Sequence, residues 1–304
     1  CCSLDDIEDA RRVCQALDIP FYTLNMEDDF RRLVIDYFAG EYARGRTPNP
    51  CLACNAEMKF RLLLGKAIGL GARYLATGHY ARIAQRDDVY RLLKARDGGK
   101  DQSYVLYMLG QAELARLLFP VGELPKEEVR RLAAERGLPV ATKPDSQEIC
   151  FVTAGDYRRF LADRAPSSGG EIIDSSGRSL GRHQGIAGYT VGQRRGLGLA
   201  KGEPMYVLAV DAQSNTITVG PEEALWRRDL LAERLSFVSG VAPQECIEVA
   251  AKIRYRTREA PALLEVQGEG ARVIFTEPQR AITPGQAVVF YAGDEVLGGG
   301  IIAG

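Results

Sequence analysis

The strongest constraint on how this chain folds is a change of hydrophobic period partway along it. Up to Cys150, apolar residues recur every three to four positions between short apolar runs; from Met205 onward they alternate in short segments separated by turns. In the first part, Ile7, Ala10, Val13, Cys14 and Leu17 predict the buried face of a helix capped by Ser3, and Ile19–Leu24 predicts a strand. A second helix is predicted through Phe30, Leu33, Val34, Tyr37, Phe38 and Tyr42, ending at Gly45, and a third from just after Cys54 toward Gly71. A strand over Arg73–Thr77, a hairpin at Asp87–Asp88 and helices over Gln111–Leu118 and Pro125–Arg136 follow, the last stopped by Gly137. Helices alternating with short apolar strands imply a parallel sheet covered on both faces. Ligands then bind beyond the strand carboxyl ends, where Gly78 and His79 fall.

Pro166–Gly170 reads as a turn or linker, and Tyr189–Gly202 is glycine-rich with Arg194 and Arg195. The segments Tyr206–Val210, Thr216–Val219, Lys252–Thr257, Ala271–Phe275 and Ala287–Tyr291 predict a small β-barrel. The expected organisation is an α/β domain over 1–152, a small central domain over 153–205 and a C-terminal β-barrel over 206–304. The 304 residues carry a net charge of only −1, so a polyanionic partner must meet a local patch; residues 153–205 hold eight Lys/Arg against five Asp/Glu. Seven cysteines, an odd number without a secretory signal, imply reduced thiols and a cytoplasmic protein, and no apolar run is long enough to span a bilayer. The opening Cys1-Cys2-Ser3, without Met, reads as a fragment or a mis-started frame.

A reactive thiol benefits from a helix N-terminus or a nearby cation, and Cys54 has both in prospect: a helix start with Asn55 as its cap, and Lys59 about one turn on. Cys51-x-x-Cys54 is also a zinc spacing, although no second such pair occurs. Cys14 and Cys246, in periodic contexts, read as buried inert thiols. His79 is poised equally between ligand contact and structure, His183 leans to structure, and neither belongs to a hydrolase triad. Lys100-Asp101-Gln102, after two glycines, offers a cation and an amide to a phosphate or base, or is a solvated turn. Lys252, Arg254, Arg256 and Arg258, two apart, would line one face of a strand for RNA or for solvent, with Tyr255 on the other face. No glycine-rich phosphate loop is present.

Seven ordered motifs carry a resemblance that spans essentially the whole chain. They are Arg46–Asn55 with Lys59-Phe60, Ala76–Tyr80, Lys100–Tyr104, Asp145–Phe151, Tyr189–Gln193, Lys252–Arg256 and Thr283–Gln286, and the chain closes on Leu297–Ile302. In this order they resemble the tRNA-specific 2-thiouridylases. The resemblance implies an adenine-nucleotide-hydrolase-like (PP-loop) α/β domain with a partial parallel sheet, a central tRNA-binding domain and a C-terminal β-barrel. It implies ATP-dependent 2-thiolation of the wobble uridine of tRNA: adenylation, aided by Mg2+, makes the base oxygen a leaving group, and a cysteine persulfide supplies sulfur. By motif, Cys150 is the persulfide carrier and Cys54 the nucleophile that helps release the sulfur and forms a disulfide with Cys150. Asn49, Pro50 and Cys51 match contacts to the target base, and Gly78 matches an ATP contact. His79, Lys100, Asp101, Gln102, Arg254, Tyr255 and Gln286 match tRNA contacts. A sulfur-relay protein or cysteine desulfurase is the implied donor.

Two departures from the family pattern stand out. The opening strand and Ser-Gly-Gly-x-Asp-Ser pyrophosphate loop precede the point where this sequence begins, so a non-catalytic tRNA-binding remnant is the competing expectation. Cys51 replaces a common Asp of base-like role, and Cys51, Cys54 and Cys150 would then be candidate ligands of an iron–sulfur cluster.

Overall fold

The computed structural model describes residues 4–143, 149–152, 157–162, 164–165, 168–199 and 203–304. Ser3, the Asp145–Glu148 part of the fourth motif and the Pro166-Ser167 turn lie outside the described residues. Among the described residues no helix is long and apolar enough to cross a membrane.

Residues 27–43 form one helical rod, α-wound at Glu27–Phe30 and Asp36–Ala43 and π-wound at Arg31–Ile35. Its apolar stripe buries Phe30, Val34, Phe38 and Tyr42, and it ends two residues before Gly45, at φ +74°. A second rod covers residues 50–69 through Pro50–Ala53, Cys54–Leu63 in π geometry, and Leu64–Gly69. It starts earlier than the sequence suggested. Asn49, not Asn55, is the N-cap: its side chain accepts from Cys51 N at 3.1 Å, with Pro50 in the first turn, where a missing N–H costs nothing. Asn55 is instead buried, and its Nδ2 donates to Val105 O at 2.9 Å.

The sheet of this first unit is short. Strand β1 (Leu75–Ala76) precedes the hairpin β2 (Ala81–Arg86) and β3 (Val89–Lys94), which turns at Asp87 and Asp88, both at positive φ. β4 (Leu117–Leu118) pairs in parallel with β1, so the predicted helix over Gln111–Leu118 stops at Leu114 and its end becomes strand. The helix Lys126–Glu135 forms as expected. Two expectations fail. Ile19–Leu24 pairs with no described strand and leaves Tyr22 83% exposed, and the helix Leu4–Ala16 buries none of its residues. Period alone marks a face that is able to pack; a facing surface decides whether it does.

In the middle unit, β5 (Gly170–Ile173), β6 (Ser179–His183), β7 (Tyr206–Asp211) and β8 (Thr216–Gly220) form one sheet in the order β6-β5-β8-β7. A break at 205/206 would therefore cut through a sheet. The strands β9 (Trp226–Phe237), β10 (Ile247–Lys252), β11 (Ala260–Gln267), β12 (Gly270–Arg280), β13 (Ala287–Ala292) and β14 (Glu295–Ile302) run in the order β13-β10-β11-β12-β9-β14. Pairing of β13 with β14 closes them into an antiparallel barrel, so no edge strand is left open.

β14 also pairs with β3, matching Val296 to Leu92, and thereby joins the hairpin of the first unit to the barrel. One hydrophobic core spans the junction, containing Leu52 and Phe60 of the second rod, Leu92, Tyr104 and Leu106, and Val289, Tyr291 and Val296 of the barrel. Burial of each such side chain contributes about 1.5–3 kcal/mol, against about 0–1 kcal/mol for a partly exposed ion pair such as Arg91–Glu295. Apolar packing therefore joins the two units. Gly299 permits it: a Cβ there would lie 2.7 Å from the Tyr107 ring.

Candidate functional site

The second rod places Cys51 and Cys54 in its first turns, where the helix dipole favours a thiolate. Cys150 arrives from the far end of the α/β unit. Its neighbour Phe151 anchors it, packing edge-on against Phe30 at 5.7 Å and Phe38 at 5.5 Å. Cys150 and Cys54 both lie within electrostatic reach of Cys51, as does Lys59. Burial and these two thiols push the Cys51 thiol up, with Lys59 pulling it down, so Cys51 is a protonated thiol at neutral pH. Its side chain is densely surrounded yet open to solvent, as at a concave position.

No disulfide joins the described cysteines, so the Cys54–Cys150 bond is not present in this state. Among the described residues no three His, Cys, Asp or Glu side chains gather as metal ligands, so the expected three-thiolate cluster and the zinc site find no support in the geometry. Cys246 is exposed and Cys14 half-buried, contrary to their reading as core thiols.

His79 lies just beyond β1, buried between Phe60 at 5.6 Å and Phe119 at 5.8 Å. Lys59 Nζ lies 3.3 Å from its Nε2 and Thr77 Oγ1 2.7 Å from its Nδ1. Lysine only donates, so Nε2 accepts, and Nδ1 carries the proton and donates to Thr77. Burial, then the Lys59 charge, push the imidazole down to about 3, so the ring is neutral. His79 thus holds Lys59 within electrostatic reach of Cys51. Gly78 faces open space: a Cβ there would meet no atom within 4 Å. An open glycine beyond parallel strand ends fits the approach of a nucleotide. His183 is structural, with Nδ1 accepting from Gly185 N at 3.0 Å and Nε2 donating to Asn215 O at 3.1 Å.

The motif Lys100–Gln102 braces this strand end. Gln102 Oε1 accepts from Tyr80 N at 2.9 Å and Gln102 N donates to Tyr80 O at 2.8 Å. Asp101 Oδ1 accepts from Ala95 N at 2.9 Å, and its Oδ2 accepts from Ser103 Oγ at 2.7 Å. Lys100 and Asp101 both lie within electrostatic reach of Tyr255, which also feels Cys51. The barrel thus delivers an aromatic ring to the thiol site, 6.1 Å from Tyr104.

The expected basic strand face is not formed. β10 ends at Lys252, and the turn that follows sends Arg254 inward to donate to Val191 O at 3.2 Å, Ala281 O at 2.9 Å and Thr283 Oγ1. Gln286 is likewise engaged, donating from Nε2 to Thr47 O at 2.8 Å. Thr47 N donates to Pro284 O at 2.8 Å, and Thr47 Oγ1 lies 3.1 Å from Thr190 Oγ1 of the middle unit. Arg46 pairs with buried Glu41 at 3.0 Å and with Glu233 of β9 at 2.7 Å. The loop leading to Asn49, Pro50 and Cys51 is therefore held by all three units. Glu41 escaped the sequence reading, and Arg46 and Thr190 entered it only as parts of motifs, without a role, because nothing local marks their partners Glu233 and Thr47, each more than 100 positions away.

Comparison with known proteins agrees with this architecture. A family described as tRNA methyl transferase HUP domain matches residues 1–154, a tRNA methyl transferase PRC-barrel domain matches 158–221, and an aminomethyltransferase β-barrel domain matches 227–302. These bounds follow the observed sheets, and a HUP domain implies use of ATP. The tRNA-specific 2-thiouridylase MnmA of Roseiflexus castenholzii is 55% identical across all of this chain and 87% of its own length. That of Geobacter metallireducens is 55% identical over 99% of this chain and 83% of its own. The counterpart in Clostridium perfringens strain 13 is 50% identical over 99% and 85%. Full-length identity at this level, with the three domain matches in order, makes this chain a member of the tRNA-specific 2-thiouridylase family, a family of tRNA-uridine 2-sulfurtransferases.

Proposed function

We propose that this protein replaces the C2 oxygen of the wobble uridine of tRNA by sulfur, with Cys150 as persulfide carrier and Cys54 as the assisting thiol. The observation that carries this reading is that Cys54 and Cys150, from distant parts of the α/β unit, both lie within electrostatic reach of Cys51. ATP, with Mg2+, supplies an activated leaving group at the base oxygen, and Gly78 leaves room for it. The chain's own residues do the rest. The terminal sulfur of a Cys150 persulfide bonds to C2 as the activated oxygen departs. Attack of the Cys54 thiolate on Cys150 Sγ breaks the persulfide S–S bond and leaves a Cys54–Cys150 disulfide, which an external dithiol reduces. A sulfur-relay protein or cysteine desulfurase reloads Cys150. Lys59, steered by neutral His79, offsets the developing thiolate charge. Asn49, Pro50 and Cys51 receive the flipped base, with Cys51 as a neutral thiol contact. Lys100 and Tyr255 line the approach, whereas Asp101, Gln102, Arg254 and Gln286 act by holding the loops around it.

The test is 2-thiouridine formation on unmodified tRNA with ATP, Mg2+ and a persulfide donor. Cys150→Ser is expected to abolish product while leaving tRNA affinity within about twofold, as for loss of one small exposed group. Product from Cys150→Ser, or a large loss of its affinity, would overturn the assignment. Tight tRNA binding by the wild type without any product would favour the binding remnant instead.

A further inference from the structure

Lys252 is a half-buried cation that the thiol chemistry leaves unused. It is the last residue of β10, opposite Val289 of β13, and it lines a cleft of about 520 Å3 with Asp101, Glu259 and Tyr291. The carboxylates of that cleft are already engaged. Lys94 Nζ pairs with Glu259 and donates to Gly293 O at 2.8 Å, and Arg82 pairs with Asp294 at 3.0 Å. Asp101 accepts from Ala95 N at 2.9 Å and from Ser103 Oγ at 2.7 Å. Among the described residues Lys252 makes no hydrogen bond and no ion pair. Burial pushes its ammonium down from the usual lysine range, while Asp101 and Glu259, within electrostatic reach, pull it back up.

The partners of this ammonium are aromatic. Nζ lies 5.9 Å from the centroid of the Tyr104 ring and 5.9 Å from that of Tyr255, inside the roughly 6 Å over which a cation is drawn to a ring face. The rings themselves are 6.1 Å apart and meet at 57°, so one cation serves both. They differ in freedom. Tyr104 is wholly buried, and its hydroxyl donates to Ala287 O at 2.8 Å. Tyr255 stands in the turn after β10, 36% exposed, and among the described residues its hydroxyl has no hydrogen-bond partner. Contact with Tyr104 and the charge of Lys252 are therefore what orient the exposed ring. That ring lies within electrostatic reach of Cys51 and Lys100.

We propose that Lys252 is a positioning residue for thiolation: it ties the Tyr255 ring to the immobile Tyr104, so that the ring is held at the edge of the thiol site to stack on the base that enters there. An unpaired base is recognised on its π-face, and stacking holds only while the protein ring keeps its orientation. Lys252 itself touches no substrate and acts through Tyr255. The inference rests on the reading of tRNA as substrate.

The test compares Lys252→Met, which keeps the length and apolar stem, with Lys252→Arg, which keeps the charge, alone and combined with Tyr255→Leu. Single-turnover thiolation is followed at saturating unmodified tRNA, and tRNA affinity is measured between about 50 and 200 mM salt. Lys252→Met is expected to lower the saturated rate about 3- to 10-fold, as for loss of cation–π contacts, with the salt dependence of affinity and the thermal midpoint nearly those of the wild type. Lys252→Arg should recover most of that rate, and Lys252→Met should cost nothing further once Tyr255 is leucine. Lys252→Gln repeats the comparison if the methionine variant is unstable. Losses that add in the double variant would overturn the proposal, as would a wild-type rate in Lys252→Met or Tyr255→Leu, or a loss that arginine does not restore. A salt dependence flattened by about one would make Lys252 a direct phosphate contact, and also overturn it. If the wild type thiolates tRNA while Lys252→Met is indistinguishable from it, only this inference falls; if the wild type neither binds nor thiolates tRNA, the functional reading falls with it.

Discussion

At the scale of single residues, the state of one proton organises the thiol site. His79 must be neutral to accept from Lys59, and its burial between Phe60 and Phe119 enforces that. The sign of its effect on stability follows. The imidazole titrates near 6.5 when exposed and is pushed down to about 3 in the fold, so at lower pH the unfolded chain takes up a proton that the folded chain refuses. His79 therefore leaves stability intact above pH 6.5 and reduces it as pH falls toward 3, with a limiting slope of about 1.4 kcal/mol per pH unit. Glu8, held down to about 2 by Arg11, titrates below most of this window. The urea midpoint should fall between pH 7 and pH 5, and His79→Gln should flatten that fall. Parallel pH profiles for the two proteins would show that the imidazole is not held neutral.

At the scale of elements, the loop from Gly45 to Asn49 is a strut between units. It owes its position to Pro284 and Gln286 on the barrel side and to Thr190 on the middle side. Gly285 is a tight point on the barrel side: at φ +90°, a Cβ would lie 2.9 Å from Thr47 N and 3.0 Å from Arg46 Cβ. Gly285→Ala should therefore strain the turn by about 1–3 kcal/mol and displace the loop that carries the proposed base contacts. The expected result is a thermal midpoint lowered by a few degrees and a thiolation rate reduced by more than the loss of folded protein explains, with persulfide loading of Cys150 retained. Wild-type turnover at unchanged stability would show that the loop tolerates the shift.

At the scale of the whole molecule, the α/β unit and the barrel share one core. The hairpin β2–β3 contributes Leu92 to it, the barrel contributes Val289, Tyr291 and Val296, and Tyr104 is wholly buried with its hydroxyl donating to Ala287 O at 2.8 Å. A chain stopped after Gly220 would expose these faces. It should aggregate or melt without a cooperative transition, whereas the whole chain should lose hairpin and barrel structure together. A sharp calorimetric transition from residues 4–220 would show that the first two units fold unaided.

What the sequence determined by itself was whatever is encoded locally: the switch from helical to alternating period, the rod through Phe30 and Phe38, the turn at Asp87–Asp88, and the ordered motifs that placed the chain in its family. These depend on neighbours within about one turn or one hairpin. Only the tertiary structure decided which amphipathic faces found a surface, so that the 27–43 rod is buried and the 4–16 helix is not. It alone turned Arg254 from a strand-face cation into a clasp on Ala281 and Thr283, gave Gln286 a protein carbonyl at Thr47 to hold, and brought Cys150 within electrostatic reach of Cys51. The physical reason is the same in each case. A side chain's partner is set by packing between distant segments, and sequence spacing carries no record of that distance.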